Sequence, residues 1–588
     1  MNNILRITVI ENIDNLIHNR KVKPHSAYSA DFINDDYGAF YTNEKYIKEY
    51  IDNIPNILEG AKLLAKHIRL KSKIIIAIDY DCDGLSAGAM LASYLNRLSA
   101  LQLSSDIDYV VVNGKRGQGN GITNYLRSII LNECGDARKG ILLITADHGS
   151  SDDCSYDLLK QLRPEMEILV TDHHTIPETG VPTNCDVFVN PQTSVHPISK
   201  SLSGCMVAFL LSVTNYKQFN KKVKYNDIAF NILKDELIFA GLTTMSDVMS
   251  LDNDLNRATV KHAIKLLNTD DTISPLWKKL FTKIVDTNFT DSVLKVDYTF
   301  FNFTVAPVIN TGSRTSNEDV ALNTLLNPLD NTNIAQLITL NNERKKAQIL
   351  ALNKALTIVD SSTPIVCILL ENITFNINGI IAGILMEKYN KPVICFKQDI
   401  ESGMLSGSAR SPGYSIINLF NNINTIDNTL LTKFGGHAKA GGCSLSINNY
   451  NKLLEIMSKL DIPKIEKDKP DVIELESLDE LYTLVQYSKK YEPYGEGWSP
   501  ITYKLNLKLE LLYIAYTNGS IDYLNAKAIS NNTNSDITEI FKYVRCNPAY
   551  KNTQELRDKF DNIVTIVFNC RYDIYTNRYI YTNLKLED

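Results

Sequence analysis

The apolar residues of this chain come in short runs separated by amphipathic stretches. Ile74–Ile78 is an unbroken run after a basic, helix-like stretch, and similar runs follow at Tyr109–Val112, Ile141–Thr145, Ile168–Thr171 and Val187–Val189. Short apolar runs bounded by polar turns predict strands buried on both faces. Helix-compatible segments lie between several of them, such as Leu85–Leu98 with apolar residues at 91, 94, 95 and 98. Strands alternating with helices predict βαβ units around a parallel sheet, an α/β fold. In such sheets the ligand site lies beyond the carboxyl ends of the strands.

The pattern then changes along the chain. Residues 225–270 read as mainly helical, and Asn333–Ile358 is the longest helical pattern without Pro or Gly, suited to connecting two domains. A second α/β unit is expected from strand Pro364–Leu370, helix Ile380–Tyr389 and strand Pro392–Phe396, followed by Gly-rich turns. Beyond residue 463, a charged helical segment (Glu474–Tyr491) leads to alternating segments at Tyr503–Leu511 and Ile563–Phe568. Alternation of this kind predicts a small OB-like β-barrel. The expected partition is 1–330, with the first 50 residues an unassigned extension, then 331–360, 361–462 and 463–588.

At 588 residues the chain is too long for one core. Lys and Arg number 61 against 67 Asp and Glu, a net charge of −6, which argues against binding nucleic acid through overall basicity but leaves room for local basic grooves. No stretch reaches the ~18 apolar residues of a membrane span, and the ten cysteines include no CxxC pair. Buried free thiols in a reducing cytoplasm are the expectation, with no membrane partner.

Candidate chemistry gathers at the strand ends. The first strand runs into Asp79, Asp81 and Asp83, whose side chains share a face while the chain stays extended. The third ends in Asp147-His148 and the fourth in Asp172-His173-His174. A later apolar helix-like run ends in Asp247. So many carboxylates at one end of a sheet repel unless neutralised, and divalent cations with oxygen and imidazole ligands are the natural solution. Gly117, Gly119 and Gly121 superficially suggest a dinucleotide loop, but their spacing is GxGxG and no acidic ribose partner is placed as required.

The set DYDCDG, ADHG, TDHH and SDV resembles, in order and spacing, the four motifs of the DHH phosphoesterase superfamily. NP at 190, LSGCMVAF at 202–209, INTGSR at 309–314, LNNERK at 340–345, GSARS at 407–411, GGHAKAGG at 435–442 and EPYGEGWSP at 492–500 resemble its RecJ-like exonuclease branch. The resemblance covers about residues 50–588. It implies a parallel-sheet catalytic domain, a connecting helix, a DHH-associated substrate domain and a nucleic-acid-binding barrel. It also implies two divalent cations, Mn²⁺ or Mg²⁺, one on Asp81 and Asp147 and one on Asp83, Asp147, His173 and Asp247. His174 then contacts the phosphate or assists the leaving group, Asp172 orients its neighbours, and Asp79 is an added candidate at the first cation. Ala77 stands where many members carry a His, and His148 follows the bridging aspartate as an extra candidate ligand or phosphate contact.

On the substrate side the resemblance implies that Arg116, Ser408 and Arg410 bind a terminal 5′-phosphate and that Gly435, Gly436 and His437 approach the strand. Arg314 and the Arg344-Lys345-Lys346 cluster are further groove candidates, although a charge cluster is more often a solvated helix face. The implied activity is 5′-to-3′ hydrolysis of single-stranded DNA to 5′-mononucleotides, in repair, recombination or replication. A single-strand-binding protein or helicase is the usual context for such enzymes. Two other readings stay open: a phosphodiesterase of short oligonucleotides or cyclic dinucleotides, and a non-catalytic replication scaffold on the same fold.

Overall fold

The structure, a computed structural model, describes residues 44–135, 140–269, 296–327, 329–398, 403–436, 438–463, 472–517, 520–528, 540–545, 563–573 and 578–587, with a few single positions between them. Its first sheet contains β1 (Lys73–Ile78), β2 (Tyr109–Asn113), β3 (Ile141–Ala146), β4 (Met166–Thr171) and β5 (Val187–Val189) in the order β2-β1-β3-β4-β5. Every pairing is parallel. All six residues of β3 are buried, as both-sided packing in an α/β layer requires.

Helices cover both faces. Cys82–Ala100, Gly204–Phe219 and Lys234–Ser246 pack together on one side in the largest apolar core, and Asn124–Cys134 and Asp153–Leu162 cover the other. The helix Glu44–Asn53, which straddles the end of the 50-residue segment left unassigned from sequence, adds Tyr46, Ile47, Tyr50 and Ile51 to the main core. Tyr50 donates a hydrogen bond to Asp254, tying that helix to the turn after Asp247.

The helix Asn331–Ile358 leads into a second sheet of β6 (Val366–Leu370), β7 (Val393–Gln398), β8 (Met404–Arg410), β9 (Lys433–Gly436) and β10 (Ala440–Ser446), ordered β6-β7-β8-β10-β9. The segments read as Gly-rich turns are strands here. Gly407 of β8 faces Cys443 of β10, and a Cβ on Gly407 would lie 2.5 Å from the Phe396 ring. These glycines thus serve close packing rather than turning.

The C-terminal part opens with β11 (Val472–Leu475) where helix was expected, and its helix spans only Leu478–Ser488. It continues with β12 (Thr502–Thr517), β13 (Ser520–Ala528), β14 (Ile540–Arg545), β15 (Ile563–Asp573) and β16 (Arg578–Glu587). The sheet order is β11-β12-β13-β14-β16-β15, with β12 also paired to β15 and a single residue pair between β14 and β16. The architecture is therefore α/β with a parallel-sheet unit, and no closed barrel is found among the described residues.

Candidate metal centre and phosphate-binding cleft

The carboxyl ends of β1, β3 and β4 lie side by side because these strands pair in register, with Ala77 opposite Thr145 and Ala146 opposite Thr171. After β1 the chain turns at once into a helix. Asp81 is its N-cap, accepting from the backbone N–H groups of Asp83 (2.9 Å) and Gly84 (3.3 Å). Gly84 is required at this turn, since a Cβ there would stand 2.6 Å from the Asp79 carbonyl oxygen. Asp83 accepts from the N–H groups of Gly204 (2.6 Å) and Cys205 (2.9 Å), the first residues of the helix Gly204–Phe219. A helix N-terminus is a favourable place for this buried carboxylate.

Asp147 follows β3 with φ of +66°, a left-handed backbone uncommon outside glycine. Its Oδ1 lies 3.1 Å from Nε2 of His173, yet this buried oxygen has no hydrogen bond. The same His173 nitrogen is 3.8 Å from Asp83 and 3.7 Å from Asp247. Two groups of potential ligands result: Asp79, Asp81 and Asp147, and Asp83, His173 and Asp247, each with ligand atoms within 4.8 Å of one another. His174 forms a third such group with Asp147 and His173.

The electrostatics are those of an uncompensated acidic centre. Burial, then the Asp81 charge, raises Asp79 to about 7. Burial and neighbouring carboxylates also push Asp83, Asp147 and Asp247 above the usual carboxylate range. Burial, then His174, lowers His173, favouring the neutral imidazole that ligates metals. An orphaned buried carboxylate oxygen, four carboxylates resisting ionisation and a neutral imidazole fit divalent cations with oxygen-rich ligation.

Asp172 stands behind this layer. It accepts from Ser150 N (2.9 Å), Ser150 Oγ (2.6 Å), the His173 N–H (2.7 Å) and His174 Nδ1 (2.8 Å). Burial opposes its charge, but the hydrogen bond and charge of His174 outweigh it and hold Asp172 far below its ordinary value. Burial likewise opposes the His174 charge, and the bond to Asp172 with the surrounding carboxylates overcomes it, raising His174 to about 9. Asn190 of the NP motif donates to Ser150 Oγ (2.9 Å) and the His174 carbonyl (3.0 Å), completing a buried scaffold.

His148 is placed differently from a ligand. Its Nε2 lies 3.1 Å from the Ala77 carbonyl oxygen and its Nδ1 lies 3.3 Å from Asp152, so both ring nitrogens face acceptors of the protein itself. It meets the chain at Ala77, the position noted above for lacking a histidine.

Beside this centre lies a cationic pocket. Arg116 stacks over Tyr80 at 5.1 Å, and its N–H donates to the buried Glu318 (3.2 Å). Burial, then Arg344 and Arg116, lowers Arg314 to about 10; burial and Arg116 lower Arg410. Mutual repulsion among partly desolvated guanidinium groups marks a site suited to an anion. Arg344, read from sequence as a groove candidate or as part of a solvated helix face, is buried and held by Asn341 (2.8 Å) and Gln348 (2.7 Å), while Lys345 and Lys346 are exposed. A period of 3.6 could have separated Arg344 from its neighbours, but which face met protein was not readable. Ser408 and Arg410 lie on β8, and Gly379 leaves them room: a Cβ there would be 3.3 Å from both side chains.

Gly435 and Gly436 end β9, and Gly436, at φ of +133°, lines a cleft of about 360 Å³ together with Asp79, Asp147, Asp172 and His174. The second unit therefore reaches over the acidic centre. His437 lies outside the described residues.

Comparison with known proteins agrees with this geometry. The DHH family, N-terminal domain, matches residues 73–234, and the DHHA1 domain matches residues 362–460. The single-stranded-DNA-specific exonuclease RecJ of Haemophilus influenzae is 29% identical over 426 residues, covering 69% of each chain. The putative SPbeta prophage-derived single-strand DNA-specific exonuclease YorK of Bacillus subtilis is 24% identical over 450 residues, covering 72% of each. Among solved structures, RecJ of Thermus thermophilus in complex with Mn²⁺ superposes with a TM-score of 0.64 at 21% identity, over 91% of this chain and 71% of that one. A manganese-bound exonuclease RecJ gives 0.52 at 23% identity, over 69% of this chain and 94% of that one. The chain thus carries a DHH domain and a DHHA1 domain in order, with the motif residues gathered in one cleft, and is similar to RecJ exonucleases.

Proposed function

We propose that this protein is a metal-dependent exonuclease that degrades single-stranded DNA from a 5′-phosphorylated end and releases 5′-mononucleotides. The observation that carries the reading is the adjacency of two ligand groups, Asp79, Asp81 and Asp147 and Asp83, His173 and Asp247, to a pocket of arginines, under the Gly436 strand end. The RecJ proteins to which the chain is similar are named single-stranded-DNA-specific exonucleases.

Asp81 and Asp147, with Asp79, would hold one divalent cation, Mn²⁺ or Mg²⁺; Asp83, Asp147, His173 and Asp247 would hold the other. Two such ions would supply charge neutralisation at the scissile phosphate and activation of an attacking water. The chain's own residues do the rest. Asp172 orients His174 by accepting from its Nδ1 and favours the protonated imidazolium, whose Nε2–H can then donate toward a phosphate oxygen or the departing oxygen. Arg116, Arg314 and Arg410 with Ser408 grip the terminal phosphate, since guanidinium forks pair with phosphate oxygens. Gly435 and Gly436 let the strand approach the backbone closely, with His437 beside them.

The working partition is a catalytic unit to residue 330, a connecting helix to 360, a substrate unit to 462 and a C-terminal nucleic-acid-binding unit. In the last, β12 pairs with both β13 and β15, and β14 meets β16 in parallel. This supports an OB-like, partly open barrel guiding the incoming strand. Cytoplasmic work beside a single-strand-binding protein or helicase suits such an enzyme, and no described helix is long and apolar enough to cross a membrane.

The test uses 5′-phosphorylated single strands labelled at either end, duplex and dinucleotide controls, and Mn²⁺ or Mg²⁺. Wild type should release 5′-mononucleotides progressively from the 5′ end of single strands, with Asp83→Ala and His173→Ala inactive. Release from the 3′ end, preference for dinucleotides, or activity surviving both substitutions would overturn the reading.

A further inference from the structure

The segment 491–498 is a joint between three parts of the molecule. Its backbone is gripped by the catalytic unit. Arg257, fully buried, donates to the Pro493 carbonyl at 2.7 Å and to the Tyr491 carbonyl, and lies 4.4 Å over the Trp498 ring. The Leu251 N–H donates to the Glu496 carbonyl at 2.7 Å. A Cβ on Gly497 would stand 2.3 Å from Ser250 Oγ, and one on Gly495 would stand 2.9 Å from Leu251. Ser250 and Leu251 lie within four residues of Asp247, and Arg257 lies on the helix Asp254–Thr269 that follows, so the segment is seated beside the loop that carries a metal-ligand candidate.

The side chain of Glu496 points to a different unit. Its carboxylate accepts from Lys439 Nζ at 2.7 Å, and Lys439 lies in the turn between β9 and β10, three residues from Gly436. The Lys439 carbonyl accepts from Ser411 N (3.0 Å), at the end of the strand bearing Ser408 and Arg410. Around the cleft, a closed circuit therefore runs from the catalytic unit through the helix Asn331–Ile358 to the second unit, across the Lys439–Glu496 pair, and back through the Arg257-held joint. Three links of this circuit are continuous chain or buried contacts. The fourth, between parts that the chain also connects through residues 463–490, is one ion pair with both side chains well exposed, 66% and 43%. An exposed pair contributes only about 0–1 kcal/mol, so it opens on thermal fluctuation.

We propose that the Lys439–Glu496 pair is the latch that closes the cleft around a bound strand, and that it sets how many nucleotides are removed per encounter. This rests on the single-strand exonuclease reading above. The latch closes over the acidic centre at Gly436, so a closed pair keeps the strand from leaving sideways between cleavage events, and an open one lets it escape.

Charge reversal separates a latch from simple attraction of DNA. Glu496→Lys adds positive charge beside the strand, so plain electrostatics lengthens runs, whereas loss of the latch shortens them. The experiment measures run length on a long 5′-phosphorylated strand with excess unlabelled trap, and the dissociation rate of the same strand in EDTA. Glu496→Lys and Lys439→Glu should each shorten runs several-fold and speed dissociation by a similar factor. The double variant Lys439→Glu with Glu496→Lys should restore both, and cleavage of a trinucleotide should change less than about two-fold in all three. Runs preserved or lengthened in Glu496→Lys, or no recovery in the double variant, overturn the latch. A wild type that cuts no strand overturns the functional reading instead, and the dissociation rates in EDTA still decide the latch.

Discussion

At the scale of single residues, Asp147 bears the tightest constraints. Its left-handed backbone aims the carboxylate between the two ligand groups, and Gly204 packs against it so closely that a Cβ would lie 2.5 Å from its Oδ1. Gly204→Ala should therefore weaken Mn²⁺ binding at least tenfold in calorimetry while the far-ultraviolet circular dichroism stays unchanged. His148→Ala should still bind two Mn²⁺ ions, because both its ring nitrogens face Asp152 and the Ala77 carbonyl oxygen; a stoichiometry of one would make it a ligand. Asp172→Asn removes the carboxylate that raises His174 to about 9. His174 then titrates nearer its ordinary 6.5. The alkaline limb of the kcat profile should move down by roughly one unit or more, read from rates between pH 6 and 10. An unmoved limb would separate His174 from the chemistry.

At the scale of elements, the site is made by where strands end and helices begin. Parallel pairing of β1, β3 and β4 delivers three motifs to one edge, and the helices starting at Cys82 and Gly204 place their N-termini on Asp81 and Asp83. The parallel sheet and connecting helix were legible in the periodicity, as were the acidic strand ends. The Gly-rich strands β8 and β10 were not, because glycine signals a turn unless one knows that Phe396 and Cys443 press against it. Arg344 was left between a groove residue and a solvated helix face for a similar reason: the sequence shows a basic triplet, and only helix packing decides which member turns inward. The joint at 491–498 belongs to this scale as well. Arg257→Ala leaves the buried Pro493 carbonyl without this donor and the Tyr491 carbonyl with the Trp498 indole N–H alone, and should cost about 2 kcal/mol, seen as a lower denaturant midpoint.

At the scale of the whole molecule, the net charge of −6 acquires a location. Asp79, Asp83, Asp147 and Asp247 ionise with difficulty in the folded chain, so metal-free folded protein holds protons that the unfolded chain has released. Asp79 alone titrates near 7 when folded against an ordinary 3.8. Between these values the native state binds more protons, and stability falls as pH rises. The metal-free melting temperature should consequently drop from pH 5 to pH 8, and the increase on adding Mn²⁺ should grow over the same range. A metal-induced increase independent of pH would count against this centre. Two divalent cations add four positive charges, taking −6 to −2, so single-stranded DNA should bind more tightly to loaded than to metal-free protein at equal ionic strength. Equal affinities would remove the metals from substrate attraction.

The sequence by itself determined the α/β class, the motif order and the residue types needed to hold cations, because strand periodicity and clustered carboxylates are local properties of the chain. Tertiary structure alone decided which groups converge. It set His148 onto its own backbone neighbours, buried Arg344, and brought Gly436 over Asp79 and His174 from more than 260 positions away. It also joined Lys439 to Glu496, 57 residues apart. Such contacts depend on how separately folded units meet, and a meeting of surfaces leaves no periodic trace in the chain.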